Sequence, residues 1–244
     1  MAVRKKASQR PFGAILAVIG IAGLAGIGYA LSRQPKAIIL DPSLPPMAAA
    51  GVVKGSPDAL VEIVEFGDFE CPACGYFAAL TEPDVMNRLV ATGEVRFRFM
   101  DYPLDIHPNA VAAHNAAACA NDQGKFWEMH DQIYGNQDRW NSQATRTPKK
   151  VLKELAGSAG LDVRAWDSCY DSGRMLAQIL ANRREGERLR VGSTPTFIIG
   201  GQLYPRVLSY DEIKGYVNVE KIRVLGAQSL QAGKPAVVPA TKRP

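Results

Sequence analysis

Apolar residues fall along this chain in three regimes. Phe12 to Leu31 is an almost unbroken run of Ala, Ile, Leu, Val and Gly, with no charge between Arg10 and Arg33. About 20 such residues cross the ~30 Å hydrocarbon layer as a helix, so residues 12–31 are expected to form a single N-terminal transmembrane helix. The run exceeds the apolar centre of a cleaved export signal, about 7–15 residues, and Arg33 and Lys36 follow it as a stop. A signal ending at Gly28-Tyr29-Ala30 is the competing reading. A buried core helix is the third, and the run lacks the polar face that reading wants. Four basic residues and no acid lie in residues 1–11. That bias puts the N-terminus in the cytoplasm and everything after residue 33 across the membrane.

Beyond the run, residues 32–57 are rich in Pro, Ala and Gly and read as a linker. Residues 227–244 carry almost no large apolar group and read as a disordered tail. Between them the pattern turns globular. Val61 to Phe66 is a short β-rich run stopped by Gly67-Asp68, and Val95 to Met100 alternates apolar residues with Arg96 and Arg98. Helical spacing occupies Asn109 to Gln137, interrupted near Asn121–Gly124. Thr147-Pro148 opens a helix over Lys149–Ala159. Two more helical stretches follow, at about 163–171 and 173–190. Thr196–Ile199, Gly200-Gly201 and Gln202–Tyr204 form a hairpin signal, and Tyr210–Val224 closes as a helix. This order predicts an α/β sheet whose halves are separated by a helical insertion.

Composition adds exclusions. With 244 residues, 47% hydrophobic and 22% charged, the chain is neither wholly disordered nor collagen-like. The net charge of +5 suggests nucleic acid until its distribution is examined. Residues 32–244 hold 25 basic against 24 acidic side chains, too balanced to form a phosphate-binding surface.

The cysteines carry the chemistry. Cys71-Pro72-Ala73-Cys74 follows the first strand and precedes a helical run. That junction places Cys71 at a helix N-terminus, where free N–H groups and the helix dipole favour thiolate. Cys74, one turn on, is in reach to resolve a mixed disulfide. One CxxC supplies only two of the four ligands that zinc takes, and no second ligand pair stands at finger spacing, so no metal is expected. Cys119 and Cys169 stand alone, 50 positions apart. A bond between them would stabilise the fold by roughly 4 kcal/mol on the chain-entropy model; a second redox relay or two free buried thiols are the alternatives. His107-Pro108 reads as a helix start, and His114 and His130 as members of helix faces. Trp127, Trp140 and Trp166 read as packing residues. Phe66, Phe69 and Tyr76 are candidates to line a peptide groove.

The segment Val61–Cys74 resembles the active-site region of the DsbA-like thiol:disulfide oxidoreductases of the thioredoxin superfamily. So do Arg98–Leu104, His107–Ala110, Gln123–His130 and Val191–Phe197, in the right order across residues 55–222. The resemblance is to membrane-anchored or exported members with a C-P-A-C site and a second cysteine pair. It implies a thioredoxin fold over 58–103 and 191–226, with an all-helical domain inserted at 104–190. It implies a cis Thr194-Pro195 bond facing the CxxC, so that Pro195 joins Cys71, Cys74 and Glu65 as catalytic residues. Glu65 would be the buried acid beneath the disulfide. Pro72, Ala73, Thr194, Phe69 and Tyr76 would meet the substrate. No cofactor is implied. The expected activity is insertion of disulfides into unfolded exported proteins, with re-oxidation by a quinone-linked membrane oxidase of the DsbB or vitamin K epoxide reductase type. An extracytoplasmic reductase or isomerase is one alternative, and a redox-inert peptide-binding module is another. Ala73 departs from the best-known oxidising members, which have histidine there, and Asp68 and Glu70 add negative charge that opposes a thiolate.

Overall fold

A computed structural model describes residues 16, 17, 19–25, 43 and 47–232 of the chain, with side chains as far as residue 230. The chain divides into two units, Met1–Lys36 and Ala37–Pro244. In the first, the described residues are helical. The expected membrane span over 12–31 lies partly outside the described residues, among which no helix is long and apolar enough to cross a membrane.

The second unit is built on a five-stranded sheet in the order β1-β3-β2-β4-β5. The strands are β1 (Val52–Lys54), β2 (Val61–Gly67), β3 (Val95–Asp101), β4 (Thr196–Ile199) and β5 (Gln202–Tyr204). β2 runs parallel to β3, and the other three pairings are antiparallel. Parallel neighbours need a crossover. Helix α1 (Pro72–Leu80), the one-turn α2 (Glu82–Val85) and a π-helical turn (Met86–Val90) provide it. β4 and β5 are joined by Gly200 and Gly201 at φ of 60° and 78°, backbone that glycine adopts without penalty. β1 arises inside the stretch expected to be linker. Its residues pair with Phe97–Phe99, giving the exposed edge of β3 a partner.

Period-two burial on the central strands sorts the two faces. Val61 and Ile63 pack with Val95, Phe97, Phe197 and Phe77 of α1 on one face. Glu65 shares their parity, which carries its side chain into that face. Phe66, Met100, Tyr102 and Val191 form a smaller cluster on the other. The closing helix α9 (Tyr210–Ala232) covers the first face through Ile213 and Val217. It extends eight residues past the expected end at Val224, into the segment read as a disordered tail.

Six helices lie between β3 and β4: α3 (Ala110–Asn121), α4 (Phe126–Gly135), α5 (Gln137–Trp140), α6 (Lys149–Ser158), α7 (Val163–Ser172) and α8 (Leu176–Arg188). α3 is alanine-rich and buried on most of its surface, because small side chains let its neighbours approach from several sides. Cys119 of α3 and Cys169 of α7 are joined by a disulfide, with an S–S distance of 1.99 Å. Two buried bonds reinforce that seam. Trp166 Nε1 donates to Ala116 O at 2.9 Å, and Asn115 Nδ2 donates to Tyr170 O at 3.0 Å. The buried indole of Trp140 donates to Ile133 O at 2.8 Å.

Candidate active site

Helix α1 begins where β2 ends, and Cys71 is its N-cap residue, with extended backbone (φ −70°, ψ 122°) and Pro72 in the first turn. Proline suits that position because its missing N–H has no intrahelical partner there. Both thiols are free. Cys71 is 7% exposed and Cys74 is fully buried, so only the first residue keeps contact with solvent. Their acidities part accordingly. Cys71 is lowered to about 5, first by its hydrogen bond with Cys74, then by the Thr194 side chain and the N–H groups of Cys74 and Ala73; burial opposes these. Cys74 is pushed well above the ordinary thiol value, mainly by burial. A pair so divided has a thiolate in limited contact with solvent that enters and leaves mixed disulfides and a protonated partner that resolves them.

Two further groups face the pair. The Thr194-Pro195 peptide is cis, and the Cys71 thiol lies 3.4 Å from Thr194 O, to which it donates. Among the described residues the buried Thr194 hydroxyl has no hydrogen-bond partner, so it is available to the Cys71 sulfur. Beneath, Glu65 is 1% exposed and neither carboxyl oxygen has a hydrogen-bond partner among the described residues. Burial, followed by the charge of Cys71, pushes it up to about 8. A neutral acid at that position can give a proton to a buried thiolate and recover it later.

The loop from Gly67 to Glu70 is held by the helical insertion. Asp68, fully buried, is its centre. Its N–H donates to Cys74 Sγ at 3.5 Å, and its carbonyl accepts from Cys71 N at 3.0 Å. Its carboxylate accepts from Glu70 N at 2.8 Å and Leu104 N at 2.9 Å, and lies 2.7 Å from His107 Nδ1. Phe69 N donates to His114 Nε2 at 3.4 Å. That makes Nδ1 the protonated ring nitrogen, and it sits 2.6 Å from Asp101 Oδ1. Glu70 accepts from Asn109 N at 2.6 Å and Ser142 N at 2.5 Å. Gln137 Nε2 donates to the carbonyls of Phe69 and Cys71, at 2.6 and 3.1 Å. Gly75 admits Gln137, since a Cβ there would meet its Oε1 at 2.4 Å. The buried carboxylates of Asp68 and Glu70 are thus both hydrogen-bonded, as burial requires.

Several expected site residues lie elsewhere than expected. Phe69 is fully buried against Phe99, Phe126, His114 and Tyr134 and supports the loop from below; it lines no groove. Phe66 is buried too, on the opposite face of the sheet. Tyr76 is exposed, as is Pro72, and Ala73 is half-buried. His107 does not start a helix: it sits in the turn before α3, where its carbonyl accepts from Ala110 N at 3.1 Å. The pairings of Asp68 with His107, Phe69 with His114 and Phe69 with Gln137 were not legible, because these partners stand 39, 45 and 68 positions apart. The acids at Asp68 and Glu70, so close to a reactive cysteine, were the local signal. Among the described residues no group of three or more His, Cys, Asp or Glu is arranged to hold a metal ion.

The thioredoxin family model matches residues 48–219. A Na(+)/H(+) antiporter NhaA of Salinispora tropica is 35% identical over 151 residues, which make up 62% of this chain and 22% of the antiporter. The chain therefore spans about a fifth of the length of that relative. Disulfide bond formation protein D of Bacillus subtilis is 26% identical over 170 residues, covering 69% of this chain and 76% of that one. The crystal structure of Chlamydia trachomatis DsbA superposes with a TM-score of 0.64 at 23% identity, covering 79% of this chain and 99% of the other.

Proposed function

The chain belongs to the thioredoxin family, and on that premise we propose that it is a DsbA-like thiol:disulfide oxidoreductase that forms disulfide bonds in exported proteins. The observation that carries this reading is the division of the Cys71–Cys74 pair into an acidic thiol in limited contact with solvent and a buried, protonated one. The Bacillus subtilis relative, a disulfide bond formation protein, supports it. In the oxidised enzyme a substrate thiolate attacks Cys71 Sγ; the Cys71–Cys74 bond breaks, and Cys74 leaves as a thiolate that takes the Glu65 proton. A second substrate thiolate then attacks the substrate sulfur of the mixed disulfide and expels Cys71 as a thiolate. Two electrons pass from substrate to enzyme. A stable Cys71 thiolate favours the reduced enzyme and so drives oxidation of the substrate.

Pro72, Ala73, Thr194 and the exposed Tyr76 form the surface that a peptide meets around Cys71, with Pro195 at its edge. The charge-free run over 12–31 tethers the catalytic unit to the outer face of the membrane. A quinone-linked oxidase of the DsbB or vitamin K epoxide reductase type restores the disulfide. The test is equilibration of the full chain in glutathione buffers, with acid quenching, alkylation and mass analysis of Cys71 and Cys74. A potential well above that of the glutathione couple is expected. A value near thioredoxin's, about −270 mV, would overturn the oxidase direction in favour of a reductase.

A further inference from the structure

The tetrapeptide offers Cys71 no cation, because Ala73 cannot carry one. The fold brings one from elsewhere. Asp68 touches both cysteines through its backbone and is fully buried. Unopposed, its carboxylate would work against a second negative charge at Cys71. The turn entering the helical insertion docks on that carboxylate twice, through Leu104 N and through His107 Nδ1, whose side chain is only 17% exposed. We propose that His107 is a positioning residue for thiol–disulfide exchange: its imidazolium, held on Asp68, offsets the buried carboxylate of the residue whose backbone meets both cysteines, and so keeps Cys71 a stable thiolate.

This rests on the dithiol chemistry proposed above. The charged groups facing His107 favour its proton, Asp68 most, through the hydrogen bond and its charge, then Cys71 and Glu70; partial burial opposes them, and the net shift is upward. Glu70 is engaged by Asn109 N and Ser142 N. Cys71 in turn faces Cys74 and Thr194, and its charge acts on Glu65 beneath. The arrangement moves the cation from the neighbour of Cys71 in sequence to a neighbour in space. It also gives Asp68 a reason to be buried at the site.

Coupling between two charges is reciprocal. If His107 stabilises the thiolate, the thiolate stabilises the His107 proton equally. The first measurement therefore uses the native full chain: the His107 imidazole is titrated by ¹⁵N NMR in the oxidised and reduced states. A His107 pKa about one unit higher in the reduced protein is expected; equal values overturn the proposal. The second follows the Cys71 thiolate at 240 nm in H107Q, H107K and D68N/H107Q. H107Q should raise the Cys71 pKa by about one unit, a tenfold loss of thiolate below that pKa. H107K should restore it, and so should D68N/H107Q, which removes both charges. If the last two are as impaired as H107Q, His107 only shapes the loop and the proposal falls. A reducing potential in the native protein would sink the oxidase reading yet leave these differences between variants interpretable.

Discussion

Cys71 and Cys74 are both free thiols, whereas Cys119 and Cys169, 50 residues apart, are bonded to each other. All four sulfurs belong to one apolar cluster, so hydrophobic surroundings do not distinguish the pairs. Their places on helices do. Cys71 caps the N-terminus of α1, where unpaired N–H groups and the dipole favour negative charge. Cys119 and Cys169 lie in the last turns of α3 and α7, the ends that disfavour a thiolate. Chain separation adds a second difference. A bond across four residues restrains little of the unfolded chain, whereas one across 50 restrains a great deal. Helix polarity and loop length thus assign reaction to one pair and stability to the other.

Three variants test that division. The largest effect is expected from Cys71→Ser, which removes the sulfur that is attacked in the first step and expelled in the second; oxidation of a reduced, unfolded substrate should fall to the uncatalysed rate. Any residual catalysed oxidation that disappears on also removing Cys119 would mean that the second pair reacts. Next, C119A/C169A should lose about 4 kcal/mol of stability in urea unfolding on the loop-closure model, while Cys71 continues to titrate near 5. A displaced Cys71 titration would show that the pairs are coupled through their shared cluster.

The smallest effect concerns Glu65. Its folded-state pKa is raised from 4.5 to about 8, so the neutral acid is the favoured buried form. The associated stability is complete below pH 4.5 and is lost as pH rises through 8. Glu65→Gln removes that loss, and the variant should be more stable than the native chain at pH 9, by about 2 kcal/mol. It should also slow release of Cys74 from the disulfide, as seen in single-turnover reduction. No stabilisation at pH 9 would mean that Glu65 is solvated and is no proton donor to Cys74.

Local signals carried the main elements. Alternation in Val95–Met100, the apolar run Val61–Phe66, the Gly200-Gly201 turn and the helical spacing of the insertion each depend on residues within a few positions of one another. The strand-to-helix junction at Cys71 was legible for the same reason. β1 was not: Val52–Lys54 is too short to show a period, and it is a strand only because β3 offers an unpaired edge. Phe69 reads as a candidate to line a peptide groove beside the reactive cysteine. The fold turns it inward because the loop crosses the top of the insertion's core, where its ring fills space between Phe99, His114 and Tyr134.

By itself, the sequence determined which cysteine pair sits at a helix N-terminus, and with it the class of chemistry, because capping and dipole act within one turn. Tertiary structure decided how that chemistry is tuned. Glu65 lies beneath the pair through strand parity and the packing of α1, and Asp68 meets His107 through a turn 39 residues away. Buried electrostatics depends on distances through space, which no spacing along the chain encodes.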